Sequence, residues 1–452
     1  MTPTTASLPP GLRRPPIVQL LQWTTGPLPF MDECAQRFGD LFTARFTGLG
    51  TVVFVSSPEL VKQVFTGDPR VLHAGEANEI LRPVVGSSSV LLLDDAAHLR
   101  QRRLLLPPFH GERMASYAEQ MRDIAAASVA KWPLGRPFPI YPAMQAITLD
   151  VILRAVFGLA EGAQMHALAP KLVAMFHPPP ALMIFLPQLQ RDVALNPYRS
   201  LYRTFERLRD DVHREINAIV TERRRSADLA ARTDILSLLL AARDEDGNPM
   251  TDDEVRDELM TMIIAGHETS ATSLAWIFER VLAQPDIRAK VAAELRAVVG
   301  DGRVEPAMLP RLEYLDAVIK ETMRLRPILP IVVRRLVAPF TLGEYTLPKG
   351  IAVAPCIYLA HLRPESYPDP RRFAPERWLG DRKLDPYAYF PFGGGIRRCI
   401  GMAFALHEMK IILATVLSRA ALRLDGGPEI VVRRGITLVP KEGTRVVMDR
   451  AA

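Results

Sequence analysis

The sequence is poor in cysteine, in charge of one sign and in long apolar runs, and each shortage excludes a class of protein. Only three cysteines, Cys34, Cys356 and Cys399, occur in 452 residues, which is too few for a disulfide framework and indicates a reducing compartment. Lys and Arg number 56 against 50 Asp and Glu, so the formal charge of +6 gives no indication of nucleic-acid binding. No run approaches the roughly 20 apolar residues of a membrane span. We therefore expect a cytoplasmic, monomeric protein without a membrane anchor.

The chain is organised by helical periodicity, with glycines and prolines as breaks between segments. No repeat or Gly/Ser-rich linker divides it, so we expect a single domain over 1–452. Apolar residues at helical spacing dominate residues 96 to 299, which predicts a mainly α protein with small β-sheets (α+β). The predicted elements are an extended proline-rich leader before a helix at 31–38, a strand pair at 41–55, helices at 117–131, 197–225 and 235–242, strands at 340–354, a helix at 400–417 and a hairpin at 430–447.

One predicted helix is much longer than the others. Thr251 to Glu254 matches a capping box, and the next proline along the chain is Pro285. Roughly 30 residues at about 1.5 Å each give a rod of about 45 Å. Such a helix is long enough to cross the whole domain.

The glycine-rich loop at residues 392–401 carries the clearest chemical signal. Cys399 lies between this turn and a helix start, where free backbone N–H groups and the positive helix end favour a thiolate. Glycines let the backbone approach a large flat group, Gly401 keeps the first helical turn close to it, and Arg397 can hold an acid group on it. A phosphate loop would need a Lys-Ser/Thr pair, and zinc would need further ligands at short spacing. From the residues alone, a single-thiolate cofactor site and an inert buried cysteine both remain open.

This loop resembles the heme-binding loop of the cytochrome P450 family. The positions that match are Phe392, Gly395, Arg397, Cys399 and Gly401. The resemblance implies the cytochrome P450 fold, with a long central helix over heme b and Cys399 as the thiolate ligand of the iron. It also implies that Phe392, Gly393 and Gly401 adjoin the cofactor.

A second motif, Ala265 to Thr269 in the long helix, resembles the family's oxygen-activating segment. Gly266 in mid-helix costs about 1 kcal/mol relative to alanine, so the helix can loosen there. The resemblance implies that Ala265 adjoins the heme, that Thr269 hydrogen-bonds the bound oxygen, and that Glu268 links the proton network to solvent. The family often has Asp at position 268. An isolated Glu-Thr pair would otherwise indicate a solvated helix face, and a zinc-protease motif is excluded because Ala271 replaces its second histidine.

A third set of charged residues resembles the family's structural triad. Glu321 and Arg324 lie three apart on one helix face, which by itself is a common surface pair. The resemblance implies that a second arginine, Arg377, shares the Glu321 carboxylate. We therefore predict a triad that supports the heme-loop side of the core and takes no direct catalytic step.

A fourth set resembles the residues that bind the heme propionates. His98 and Arg102 lie one helical turn apart and can both donate to an anion, although an exposed basic helix is the simpler interpretation. The resemblance adds Arg334 and Arg397, which gives four donors for two carboxylates. A tryptophan is common in the family where His98 stands.

The resemblance implies a heme monooxygenase (EC 1.14 class) that hydroxylates an apolar substrate with O₂. Electrons would come from a separate ferredoxin or flavodoxin plus a reductase, drawn to a cationic face of Arg100, Arg103, Arg398 and Lys410. The runs at 75–79 and 100–113 resemble bacterial fatty-acid hydroxylases, so a medium- or long-chain fatty acid is favoured. Terpenoid or polyketide tailoring and broad-specificity drug oxidation are the alternatives. A peroxygenase or a non-catalytic heme protein would not need the Glu-Thr pair.

The regions that face substrate in the family are mostly aliphatic in this sequence. They include the connection at 176–193, a predicted strand at 328–332 and the tip at 435–438. The candidate pocket residues are Ile80, Leu81, Val85, Leu91, Thr261, Ile264, Ala265, Leu329, Val332, Ile436 and Thr437.

Overall fold

The computed structural model describes residues 8–109, 113–159, 161–175, 196, 198–380 and 384–451. Helices dominate this part of the chain, as predicted. They are α1 (Pro16–Thr25), α2 (Pro27–Phe38), α3 (Pro58–Thr66), α4 (Ala74–Ala77), α5 (Arg82–Val85), α6 (Asp95–Leu105), α7 (Arg113–Val129), α8 (Ile140–Ala155), α9 (Ala163–Met175), α10 (Arg199–Arg225), α11 (Ile235–Ala241), α12 (Asp252–Ala283), α13 (Pro285–Val298), α14 (Glu313–Leu325), α15 (Ile357–Ala360) and α16 (Met402–Arg419).

The strands are short and form small sheets. They are β1 (Leu41–Phe46), β2 (Gly50–Val55), β3 (Leu72–His73), β4 (Pro137–Pro139), β5 (Arg334–Leu336), β6 (Phe340–Leu342), β7 (Tyr345–Leu347), β8 (Ala352–Pro355), β9 (Ala420–Leu424), β10 (Val431–Arg434), β11 (Thr437–Pro440) and β12 (Arg445–Ala451). The largest sheet has the order β1-β2-β8-β5-β3, with β2 and β8 parallel. A second has the order β4-β12-β9, and β6-β7 and β10-β11 are hairpins. The predicted strand pair at 41–55 is confirmed, with Leu41 opposite Val55.

Helix α12 is the long helix that the sequence predicts. The Thr251 hydroxyl accepts from the Glu254 N–H at 3.2 Å, and the Glu254 carboxylate accepts from the Thr251 N–H at 2.8 Å, which confirms the capping box. Of its 32 residues, 20 are buried, because α12 packs against α8, α14 and α16. It ends at Ala283, before Pro285. Neither α12 nor any other helix in the described ranges is long and apolar enough to cross a membrane.

Two prolines near the start of the chain begin helices, so the predicted extended leader is wrong from Pro16 on, although residues 8–15 are not helical. Pro16 and Pro27 stand in the first turns of α1 and α2. Proline lacks the N–H that is unsatisfied at this position in any helix, and its fixed φ suits the first turn. Both helices pack their apolar faces, which include Leu20 and Phe30, into a cluster with the first hairpin.

Two predicted β elements in the C-terminal half of the chain differ from the structure. The segment 328–332 is not a strand, because only Ile331 forms an isolated bridge, to Cys356, and Pro330 has no N–H to donate. The predicted hairpin at 430–447 is confirmed only for β10 and β11. Gly443 and Thr444 both have positive φ, and this turn directs the following strand β12 into the sheet with β9.

Candidate functional site

The loop before α16 is shaped by three consecutive glycines. Gly393 and Gly395 have φ of +68° and +64°, a region that favours glycine. A Cβ on Gly394 would lie 2.3 Å from the Phe65 side chain, so no larger residue fits there without a shift. The loop closes with the Cys399 N–H donating to the Phe392 carbonyl at 3.0 Å. Local backbone geometry therefore fixes where Cys399 lies, directly before the helix.

The electrostatics of the Cys399 thiol differ from the sequence-based expectation. The Gly401 N–H and the charges of Arg102 and Arg398 favour the thiolate, as predicted. Burial opposes them and is the larger effect, so the net pKa of Cys399 is raised. The cysteine is nevertheless accessible to solvent on one side. The loop's N–H group therefore favours the thiolate as expected while burial opposes it, and a bound metal ion is what would deprotonate this sulfur.

Four nitrogen donors converge beside this loop. His98 is 1% exposed, and within the described part of the chain its Nδ1 has no hydrogen-bond partner. Burial and the charges of Arg397, Arg102 and Arg334 lower the pKa of His98 to about 3. Burial also lowers the pKa of Arg334 to about 10, with a further contribution from Arg397. Asp94 lies within this cluster and forms an ion pair with Arg397.

This donor set fits a flat group that carries two carboxylates. The charges of Asp94 and Asp95 act on Arg397, and one of the four donors is a buried nitrogen without a partner among the described residues. Gly401 has an ordinary φ of −82°, and a Cβ added there would meet no atom of the described residues within 4 Å, so their packing does not explain the glycine. Ala265 is exposed midway along the otherwise well-buried α12. The residues present therefore fit heme.

The acid and the alcohol of the oxygen-activating segment point in different directions. Both carboxylate oxygens of Glu268 accept from α8, from the Tyr141 hydroxyl and from Gln145 Nε2 at 3.0 Å. The Thr269 hydroxyl donates to the Ala265 carbonyl in its own helix. Adjacent helix residues do not face each other, so this arrangement is expected from helix geometry. Burial raises the pKa of Glu268 despite its two donors.

Helix α12 is continuous at Gly266, in contrast to the predicted loosening. A Cβ at this position would lie 3.1 Å from Ile152 Cδ1. The glycine therefore allows α8 to pack closely against α12. The sequence motif identified the glycine, but its packing partner, more than 100 positions earlier in the chain, could not be inferred.

The predicted triad is assembled in the core. Glu321 and Arg324 are fully buried and joined by two hydrogen bonds of 2.8 Å, and Arg377 Nε donates to Glu321 at 3.0 Å. Trp378 Nε1 also donates to Glu321, at 2.8 Å, a contact that the sequence analysis did not anticipate. Apart from Arg324, the described donors to this carboxylate all come from the segment that follows β8, including the Ala374 N–H at 2.9 Å.

His361 connects the triad with the cysteine loop. Its Nδ1 lies 3.2 Å from the Arg324 carbonyl, and its Nε2 accepts from the Phe390 N–H at 3.0 Å. These contacts require the neutral tautomer with the proton on Nδ1, and burial lowers the pKa of His361 to about 3. The sequence analysis missed this residue, because its partners lie 29 and 37 positions away and leave no local pattern.

The segment before α6 is anchored to the start of α12 by two acids. The Ser88 N–H donates to Asp257 at 2.9 Å, and the Val90 N–H donates to Glu258 at 2.7 Å. Arg397 donates to the Val90 carbonyl at 3.2 Å, so the same segment also contacts the cysteine loop. These acids were also missed, since an acidic pair near a helix start usually indicates only a favourable charge position.

The candidate pocket residues fall into several environments. Ile80 and Ile436 both pack against the cluster formed by the N-terminal helices, whereas Ile264 packs against the main core. Val332 adjoins the cysteine loop at Gly393. Thr261 is buried with its hydroxyl 2.7 Å from Ser89 Oγ. Val85 and Thr437 are also buried, Leu81, Leu91 and Leu329 are half-buried, and the connection at 176–193 lies outside the described residues.

The predicted cationic face is largely neutralised. Arg100 forms ion pairs with Asp244 and Glu254, and Arg103 pairs with Glu245. Lys410 pairs with Asp316 at 2.9 Å. Of the four predicted cations, Arg398 is exposed and forms no ion pair with any described acid. Three of the four residues of the predicted cationic face are therefore paired with acids.

Comparisons with known proteins give one answer. The family model for cytochrome P450 matches residues 9–446. Cytochrome P450 135B1 of Mycobacterium tuberculosis is 40% identical over 444 residues, which cover 97% of this chain and 91% of that protein. Cytochrome P450 138 of the same species is 37% identical over 451 residues, covering 99% of this chain and 98% of that protein.

Solved structures agree with this result. A cyanobacterial CYP120A1 with bound retinoic acid has a TM-score of 0.86 and 25% identity, covering 99% of this chain and all of that one. The heme domain of cytochrome P450DA has the same TM-score and identity, with 99% of each chain covered. The match over nearly the whole chain, together with the cysteine loop and its donor set, shows that this chain belongs to the cytochrome P450 family of heme-thiolate monooxygenases.

Proposed function

We propose that the chain is a single heme domain that binds heme b through Cys399 and hydroxylates an apolar substrate with O₂. The observation that carries this proposal is the convergence of four nitrogen donors, one of them without a partner, beside the cysteine loop. When bound, heme with a thiolate ligand supplies the cleavage of O₂ and the insertion of one oxygen atom into a C–H bond.

The residues around the cofactor have separate tasks in this proposal. His98, Arg102, Arg334 and Arg397 hold the two propionates, and Asp94 orients Arg397 through their ion pair. Phe392, Gly393, Gly401 and Ala265 line the faces of the cofactor. The buried triad holds the chain that leads into the cysteine loop, through Arg324 and His361.

Proton delivery is the task of the pair on α12. The Thr269 hydroxyl holds a proton beside the oxygen site, and the Glu268 carboxyl supplies protons to it. Burial keeps the pKa of Glu268 above its usual range, so this carboxyl holds its proton nearer to neutral pH than an exposed glutamate does. This pair also supports a monooxygenase rather than a peroxygenase or a passive heme carrier.

We favour a medium- or long-chain fatty acid as substrate. The aliphatic character of the candidate pocket supports an elongated apolar ligand. The CYP120A1 neighbour binds retinoic acid, which is both an apolar acid and an isoprenoid. The same observation therefore also supports terpenoid oxidation as the second candidate.

Electrons are proposed to come from a ferredoxin or flavodoxin with its own reductase. The ion pairs of Arg100, Arg103 and Lys410 leave little free positive charge for steering. Arg398, one residue from Cys399, is the exposed cation that remains. We expect partner binding to depend only weakly on ionic strength, because three of the four cations predicted to attract the partner are already paired with acids.

The experiment that tests the proposal is a spin-state titration of the purified, heme-loaded protein. Saturated fatty acids of increasing length and a set of terpenoids are added while the heme absorbance is recorded. A low- to high-spin shift that tightens with acyl chain length supports fatty-acid hydroxylation, and a response only to terpenoids transfers the proposal to that class.

The ligand assignment has its own test. Cys399→His should abolish the heme-thiolate spectrum, while Cys34→Ala, which removes a buried thiol far along the chain, should keep it. Both variants are compared by the absorbance of the reduced, CO-bound protein. Survival of the thiolate spectrum in Cys399→His would contradict the assignment.

A further inference from the structure

One face of α8 contacts three consecutive residues of the oxygen-activating segment of α12. The contacts follow one another along this face: Tyr141 and Gln145 bind Glu268, the Thr148 hydroxyl donates to the His267 carbonyl at 3.1 Å, and Ile152 packs on Gly266. Their spacing of four, three and four residues places all of these side chains on a single helical face. Helix α8 therefore decides how the side chains of this segment are oriented.

Glu268 has its two oxygens occupied by donors from α8. The Tyr141 hydroxyl donates to Oε1, Gln145 Nε2 donates to Oε2 at 3.0 Å, and Gln145 Nε2 also lies 3.1 Å from the Tyr141 hydroxyl. Tyr141 is 3% exposed, so bulk water does not compete for this hydrogen bond. A third group, Arg434 of β10, lowers the pKa of Glu268 through its positive charge. Its guanidinium lies 5.0 Å from the centre of the Tyr141 ring.

The Thr269 hydroxyl is directed elsewhere, toward the Ala265 carbonyl. Glu268 cannot donate to this hydroxyl while both of its oxygens face α8. A proton therefore passes from Glu268 to Thr269 only after the carboxyl side chain has rotated away from its two donors.

We propose that Tyr141 and Gln145 are positioning residues that hold the Glu268 carboxyl away from Thr269, so that they control when Glu268 can release its proton. The inference rests on the proposed role of Glu268 and Thr269. In the transfer, the carboxyl O–H bond breaks as its proton moves to the Thr269 hydroxyl oxygen, and the original O–H bond of Thr269 breaks at the same time as that proton leaves toward the oxygen site. The resulting carboxylate returns to its two donors, which favour the charged form, and it regains a proton from bulk water.

The test compares Tyr141→Phe and Gln145→Met with the matched control Tyr117→Phe. Each test variant removes one donor at nearly constant volume. Tyr117 is an equally buried tyrosine on α7 whose hydroxyl donates to the Thr233 carbonyl at 3.2 Å, far from Glu268 in the chain. Gln145 is only half-buried, so its variant keeps the test available if Tyr141→Phe folds poorly.

The first readout does not need turnover. The infrared carboxyl band of Glu268, assigned by its loss in Glu268→Gln, is titrated with pH in the ferric, heme-loaded protein. Removing a donor from the charged form should raise the pKa of Glu268 by about one pH unit in both test variants and leave it unchanged in Tyr117→Phe.

The second readout is the ratio of product formed to O₂ consumed, followed across pH. Its alkaline limb should move upward by the same shift in the two test variants. An unshifted infrared pKa beside impaired coupling in Glu268→Gln would overturn the positioning role alone. Normal coupling in Glu268→Gln would overturn the proposed proton-delivery role itself, and the gating with it.

Discussion

At the scale of single residues, the direction of a side chain matters as much as its identity. Glu268 and Thr269 are neighbours in sequence, yet one hydrogen-bonds across to α8 and the other back into its own helix. Cys399 occupies the position that the loop motif predicts, but burial reverses the expected direction of its pKa shift. In both cases the residue type indicates the chemistry and the surroundings set its state.

Thr269→Ala should uncouple oxygen consumption from product formation. The hydroxyl that holds a proton at the oxygen site is lost, so we expect product per O₂ to fall by about a hundredfold, the lower end of what a positioned proton-transfer group contributes, and peroxide to be released instead. Oxygen, peroxide and product are measured in one assay. The control is Thr221→Ala, an exposed residue of α10 with the same bond to a carbonyl four residues earlier. Equal coupling in the two variants would contradict the role of Thr269.

At the scale of elements, the cysteine loop contains glycines with two different purposes. Gly394→Ala places a Cβ 2.3 Å from Phe65, so we expect the free energy of unfolding to fall by about 1–3 kcal/mol even without heme. The Cβ of Gly401→Ala meets no atom within 4 Å in the ranges that the structure describes. This variant should leave the stability of the heme-free protein unchanged and weaken heme retention. Denaturant unfolding and heme-transfer rates measure the two effects, and identical behaviour of the two variants would contradict this division.

The anchor between the segment before α6 and the start of α12 makes the protein sensitive to alkaline pH. Burial raises the pKa of Glu258 to about 8 from 4.5, so the folded protein keeps a proton that the unfolded chain releases above pH 4.5. Stability is therefore present at low pH and lost as pH rises toward 8. From pH 6 to 8 the loss from this group is about 2–3 kcal/mol. Glu258→Gln should reduce this loss of stability between pH 6 and pH 8, whereas Glu222→Gln, at an exposed position, should not. Urea titrations at pH 6 and pH 8 measure the loss in each variant.

At the scale of the whole molecule, buried neutral histidines limit the stability at acidic pH, whereas Glu258 limits it at alkaline pH. Burial lowers the pKa of His361 to about 3 and that of His267 to about 4, below the ordinary 6.5. The unfolded chain binds these protons first, so stability is full above pH 6.5 and is lost as pH falls below it. Between pH 6.5 and 5 each histidine accounts for about 2 kcal/mol.

His361→Gln tests this account. Glutamine keeps an acceptor near the Phe390 N–H but does not titrate, so the variant should lose less stability than the parent between pH 6.5 and 5, whatever its stability at pH 7. Unfolding by urea at several pH values measures the slope. The control is His166→Gln, a residue of α9 that is not fully buried. A slope unchanged by His361→Gln would contradict the assignment of acid lability to this group.

The sequence by itself determined the features that depend on short stretches of chain. The capping box at Thr251, the first hairpin, the glycine loop and the Glu321–Arg324 pair are encoded within a few residues, because backbone geometry and helix periodicity act locally. The family followed from these motifs in their order. The proline-rich start was misjudged because proline suits both an extended segment and a first helical turn.

The tertiary structure alone decided the contacts between distant segments. Glu268 meets Tyr141 across 127 positions, and Val90 meets Glu258 across 168. The pairing of the expected basic face with acids, the burial of His361 and the raised pKa of Cys399 have the same origin. Burial and hydrogen bonding set these states, and both arise only when elements pack together, so no local sequence pattern contains them.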